Sequence, residues 1–159
     1  MACPLPARAS YRDLLRDLVG QAVTIRPGPD QSLGSDRPSY LASYRYDEGG
    51  VAALAVLDQP LSAALAAALG MVSAAAVHEH VGQDGRLDDE LREFLNEVVN
   101  VAAKLLNRPA SPHVALRELL EVPGHVPTDI AELATEPTTR HDWLVEVDGY
   151  GDGVLTLLA

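Results

Sequence analysis

From Pro60 to Val77 the chain carries no charged side chain, and its residues are chiefly alanine, leucine and serine. A run of this kind has two homes, a lipid bilayer or the inside of a folded domain. Alanine and serine gain little from lipid, so the stretch reads as a buried helix. Leu61, Leu65, Ala68, Leu69, Val72 and Ala76 continue its stripe, Pro60 suits the first turn, and Gly82 to Gly85 ends it. The flanking segments must then supply the walls around it.

A second helix follows directly. Asp88 is the expected N-cap, with Asp89 and Glu90 favourably placed at the positive end, and the helix is predicted to run to about Asn107 before Pro109 and Pro112 forbid continuation. Ahead of this pair, Tyr11 to Val19 predicts a short amphipathic helix before Gly20, Val23 and Ile25 a strand, and Pro27 to Pro38 an exposed loop. Tyr40, Ala42, Tyr44 and Tyr46 alternate with Leu41, Ser43 and Arg45, and Asp47-Glu48-Gly49-Gly50 then turns the chain into a buried strand from Val51 to Leu57. That is a hairpin. Behind the pair, Val114 to Val122 reads as a strand and Asp129 to Ala134 as a short helical turn; Trp143, Val145 and Val147 form a strand face, and Val154 to Leu158 a last strand. The expectation is one α+β domain over residues 1–159, with two long central helices packed on one face of a largely antiparallel sheet and a short N-terminal helix.

A chain of 159 residues fits one sizeable core. Its formal net charge of −11 repels phosphate backbones and anionic lipid, which need clustered Lys or Arg, so neither nucleic acid nor a membrane surface is an expected partner. Cys3 is the only cysteine, which excludes a disulfide framework and a four-ligand zinc site and fits a reducing compartment. The first residues hold no apolar stretch long enough for a signal peptide, so the expected location is cytoplasmic.

Along the second helix, Leu91, Phe94, Leu95, Val98, Ala102, Leu105 and Leu106 gather on one side, the core side. Glu93, Glu97, Asn100 and Lys104 fall together on the opposite side, with Glu97 and Asn100 one turn apart. By periodicity alone this is a solvated polar face. The wider spacing says more: Glu97-Val98-Val99-Asn100 is followed by 22 residues and then Pro123. This resembles the signature of the CheC, CheX and FliY phosphatases: Asp or Ser, three residues, Glu, two residues, Asn, 22 residues, Pro. The Gly49-Gly50 turn, the strand after it, the Ala-rich helix, the short linker and the later strands resemble the family too, CheX most of all.

The resemblance implies an enzyme that removes the phosphoryl group from the aspartate of a CheY-like receiver. Asn100 would orient the attacking water, a task suited to a neutral amide that both donates and accepts hydrogen bonds. Glu97 would pair with the receiver's active-site lysine, and Mg2+ would belong to the receiver, leaving this chain with no cofactor or metal of its own. A homodimer is also implied, and unpaired sheet edges make such pairing physically reasonable. Two positions depart from the family and would lie at the docking face: Glu93 replaces the Asp or Ser, and Lys104 stands where relatives commonly carry glycine. The alternative reading is a module that binds a receiver, or another copy of itself, without turnover. No second Glu-x-x-Asn pair lies on the N-terminal or the Ala-rich helix, which argues for one site per chain.

Other clusters carry weaker expectations. His78-Glu79-His80 suggests a metal, but side chains two apart on a helix diverge by about 200°. His113, His125 and His141 have no ligand spacing. Asp148 to Gly153 faintly resembles a calcium loop, with Tyr150 at a ligand position, and reads instead as a glycine-rich hairpin turn.

Overall fold

The computed structural model describes residues 2–33 and 38–159; of the loop expected from Pro27 to Pro38, residues 34–37 lie outside the described residues. The elements in chain order are α1 (Arg8–Val19), β1 (Val23–Pro27), β2 (Ser39–Tyr46), β3 (Val51–Asp58), α2 (Gln59–Leu69), α3 (Asp89–Ala102), β4 (Val114–Val122), α4 (Thr128–Thr135), β5 (Arg140–Val147) and β6 (Gly151–Leu158). The strands form one six-stranded antiparallel sheet in the order β1-β5-β6-β3-β2-β4. The expected hairpin is β2-β3, and the glycine-rich turn after Asp148 joins β5 to β6.

Strand alternation sorts the core into two layers. Tyr40, Ala42 and Tyr44 of β2, with Leu155 and Leu157 of β6, face α1, α2 and α3 in the larger cluster. Leu41, Leu54, Val56 and Leu158 face the other way and meet Ile130 of α4. The three larger helices therefore share one face, while α4 caps a smaller apolar patch on the reverse.

Every residue of α2 from Leu61 to Ala68 is buried, as expected of a helix apolar all round. Asp58 caps it, its Oδ1 accepting from the Leu61 N–H at 3.0 Å and its Oδ2 from the Val154 N–H at 3.0 Å, which seats the helix start against β6.

Two sequence expectations are corrected. The Ala-rich helix was expected to continue through Ala76, but it stops at Leu69, and the chain resumes as a 3-10 helix over Ala74–His80 at 114° to it. Its end is a Schellman motif: the Met71 N–H bonds to the Ala68 carbonyl at 3.3 Å and the Val72 N–H to the Ala67 carbonyl at 2.9 Å, with Met71 in the left-handed region at φ 58°. Gly70 is needed for a different reason, since a Cβ there would lie 2.3 Å from the Phe94 ring. Nor does the next helix reach Asn107. Regular α geometry ends at Ala102, and Ala103–Leu106 is a 3-10 turn. The two central helices are thus 11 and 14 residues long. No single helix among the described residues is long and apolar enough to cross a membrane.

Candidate functional site

Helix α3 is fixed at both ends and along one side. At its start Asp88 accepts from the Leu91 N–H at 2.9 Å, the predicted cap. Burial raises the Asp88 carboxyl, but the bonds from Leu91 and His80 outweigh it and hold the group below the usual carboxylate range. Leu91, Leu95, Val98, Val99 and Ala102 are buried against the sheet and α2, and Phe94 is half-buried over Gly70.

Polar contacts then pin the helix to the sheet. Arg92 bonds to the Glu121 carboxylate and donates to the Leu119 carbonyl at 2.9 Å, tying α3 to β4. Near the C-terminal end, the Tyr44 hydroxyl donates to the Val99 carbonyl at 2.6 Å. The Ala103 N–H turns to the Asn100 carbonyl, the tighter 3-10 spacing, so the tyrosine supplies the donor for Val99. Asn107 then holds the start of β4 as a strand neighbour would, donating to the Val114 carbonyl and accepting from the Val114 N–H, both at 2.8 Å.

Against this fixed side, the outward face is free. Glu93, Glu97, Asn100 and Lys104 are exposed, as expected, and none has a side-chain hydrogen bond or ion pair to another described residue. Glu97 and Asn100 lie one turn apart on regular helix. Lys104 lies beyond it, in the 3-10 turn, where the advance is about 120° per residue rather than about 100°. It is therefore rotated out of line with Asn100.

Pro123 takes a different place. It is exposed at the end of β4, follows a cis peptide bond from Val122, and accepts from Arg86 at 3.2 Å. Arg86 precedes α3, so this proline sits at the opposite end of the helix from Asn100.

Reading the outward stripe by itself misses Asn96. Glu93-Phe94-Leu95-Asn96 repeats the Glu-x-x-Asn spacing one turn before Glu97-Val98-Val99-Asn100. Asn96 is exposed on the β4 side of the stripe and lines, with Asp89, Arg92, Glu93 and Leu119, an open groove of about 440 Å³ between α3 and β4. The four-residue repeat in the sequence is the signal that finds it.

The His80 ring meets Asp88 and Glu90, partners the sequence reading does not name, with Nδ1 2.7 Å from the Asp88 carboxylate and 3.6 Å from that of Glu90. The isolated bridge between Val81 and Leu87 brings these residues together, and the cluster serves the cap of α3.

No family model and no curated protein matches the chain. Solved structures do match it. The middle domain of FliM from Vibrio alginolyticus superposes with a TM-score of 0.60 at 14% identity, over 95% of this chain and 87% of that one. FliY from Thermotoga maritima gives 0.54 at 15% identity, over 94% and 81%. CheX from Borrelia burgdorferi, solved in complex with CheY, BeF3 and Mg2+, gives 0.54 at 12% identity, over 94% and 92%. At these identities the likeness is one of fold. The chain has the CheC/CheX/FliY-like fold.

Proposed function

We propose that this protein dephosphorylates the phospho-aspartate of a CheY-like response regulator, with Asn100 positioning the attacking water and Glu97 docking the partner. The observation that carries this reading is the pairing of a pinned helix with a Glu97 and an Asn100 that have no side-chain partner among the described residues on its outward face, in a fold shared with a CheX that was solved bound to CheY.

The chemistry suits such a face. In an acyl phosphate the water oxygen attacks phosphorus, the bond to the acyl oxygen breaks, and its electron pair leaves with the receiver's aspartate as carboxylate; the water's proton passes to phosphate or solvent. Positioning supplies most of what such a reaction needs. Asn100 orients the water without adding charge beside an anionic phosphoryl group, and Glu97 pairs with the receiver's lysine, holding the amide at the receiver's pocket. Mg2+ is the receiver's, and Glu93 and Lys104 border the contact. We place the protein in the cytoplasm as a homodimer.

The test is loss of label from a phosphorylated receiver with Mg2+ present. Acceleration by the native chain, cut at least tenfold in Asn100→Ala with receiver binding retained, supports the reading. A second reading, docking without turnover, draws on the fold shared with FliM, which was solved in complex with FliG, and on the cation at Lys104. Unchanged decay of receivers that bind would establish it instead.

A further inference from the structure

We infer that Glu93 and Asn96 form a second docking-and-positioning pair, on which a phosphorylated receiver seats in a register one turn upstream of Glu97 and Asn100. The inference rests on the receiver-phosphatase reading above and extends it to a second pair of residues on the same helix.

The geometry of the repeat comes first. A shift of four residues along an α-helix is a rotation of about 40° and a rise of about 6 Å, so the second pair is nearly a translated copy of the first. All four residues lie within regular α3 and all four are exposed, and Glu93 and Asn96, like the other pair, have no side-chain partner among the described residues. The small rotation turns Asn96 toward β4, into the groove with Asp89, Arg92 and Leu119.

Charge distinguishes the two registers. Arg92 is engaged by Glu121 and the Leu119 carbonyl, so the groove keeps the acidity of Asp89 and Glu93 for a cationic partner group. Lys104 follows Glu97 by seven residues, about 10 Å along the axis, and Glu93 by eleven, about 16 Å. At physiological salt the screening length is about 8 Å, so a partner cation paired with Glu93 is the more fully shielded from Lys104. The position four residues after Asn96 is Asn100, which is neutral.

The experiment measures decay of a phosphorylated CheY-like receiver with native protein, Asn96→Ala, Asn100→Ala and the double variant, together with binding of the receiver charged with Mg2+ and beryllofluoride to native, Glu93→Lys and Glu97→Lys chains. Matching thermal unfolding curves establish that the variants fold. The expected result is a residual acceleration in Asn100→Ala, at least threefold over spontaneous decay, that the double variant removes. If Asn100→Ala already decays at the spontaneous rate, or if adding Asn96→Ala changes nothing, the second pair is overturned while the phosphatase reading stands. If the native chain binds receiver without speeding decay, the phosphatase reading fails and the second pair, which rests on it, is overturned too; with decay accelerated, a loss of receiver affinity of at least fivefold in Glu93→Lys supports the pair, and native affinity there overturns it. Absence of binding overturns both.

Discussion

The Tyr44 hydroxyl, fully buried beneath α3, donates to the Val99 carbonyl at 2.6 Å, one residue before Asn100. Burial, with a smaller contribution from Tyr11, holds this phenol well above its ordinary pKa, so it is a protonated donor at neutral pH. The last regular turn of α3 thus depends on β2, a strand whose Tyr44 lies 55 residues earlier in the chain than Val99.

Tyr44→Phe leaves that carbonyl buried without a donor. The expected cost is about 1–3 kcal/mol, read as a lower urea midpoint at unchanged m-value. Because the freed carbonyl adjoins Asn100, receiver dephosphorylation falls in the same variant even under conditions where it is fully folded.

Gly70 and Met71 invert the usual expectation for a helix end. Met71→Gly relieves a left-handed backbone at a residue that is 90% exposed, and stabilises the protein by about 1 kcal/mol. Gly70→Ala drives a methyl group into the Phe94 ring and destabilises by about 1–3 kcal/mol. Phe94→Leu in the same chain recovers part of that loss. Chemical denaturation of the three variants checks the set.

Asp142 gives a pH dependence. Burial raises its carboxyl, but Arg140 at 2.8 Å and the Thr156 hydroxyl at 2.7 Å outweigh this and hold it below the ordinary value. A depressed carboxyl contributes stability that is complete above the unfolded-state pKa of about 3.9 and is lost as pH falls through the folded value. Asp142→Asn therefore lowers the stability at pH 7, and its gap from the native chain closes below about pH 4. Urea midpoints across pH 2 to 7 measure this; a gap independent of pH would refute it.

Lys104→Ala removes a cation from beside the downstream pair. Lys104 stands seven residues, about 10 Å, from Glu97, where in water the repulsion of a partner's lysine is about 0.4 kcal/mol, or about twofold in affinity. Tighter receiver binding at low salt is expected, with the gain vanishing as salt rises.

Local chemistry made much of this architecture legible. Asp88 is the cap that its type and place predict, β4 spans Val114–Val122 as its pattern suggests, and the tyrosine alternation across Gly49 and Gly50 yields the β2-β3 hairpin. What stayed hidden depends on long-range contacts. Gly70 stands one position before the left-handed Met71 that ends α2, and only the Phe94 ring, distant in sequence, explains it. Asn107 and Arg92 look like ordinary helix residues until β4 lies beside them. The exposed face of α3 is visible from periodicity, whereas Asn96 lies off the centre of that stripe; the four-residue repeat marks it in the sequence, and only β4 makes a groove of its surroundings.

The strand order has a kinetic consequence. β6 alone joins the β1-β5 ribbon to the β3-β2-β4 block, and its pairing with β3 is distant in sequence, Leu57 with Leu155, while at the ribbon Val23 of β1 waits for Val147 of β5. Contacts this non-local incur their loop-closure entropy before packing offsets it, which slows folding. Until β6 docks, the Leu54–Leu57 side of β3 is an open apolar edge in a partly assembled chain, the segment through which nascent copies would stick to one another. A net charge of −11 opposes that encounter by holding unfinished chains apart.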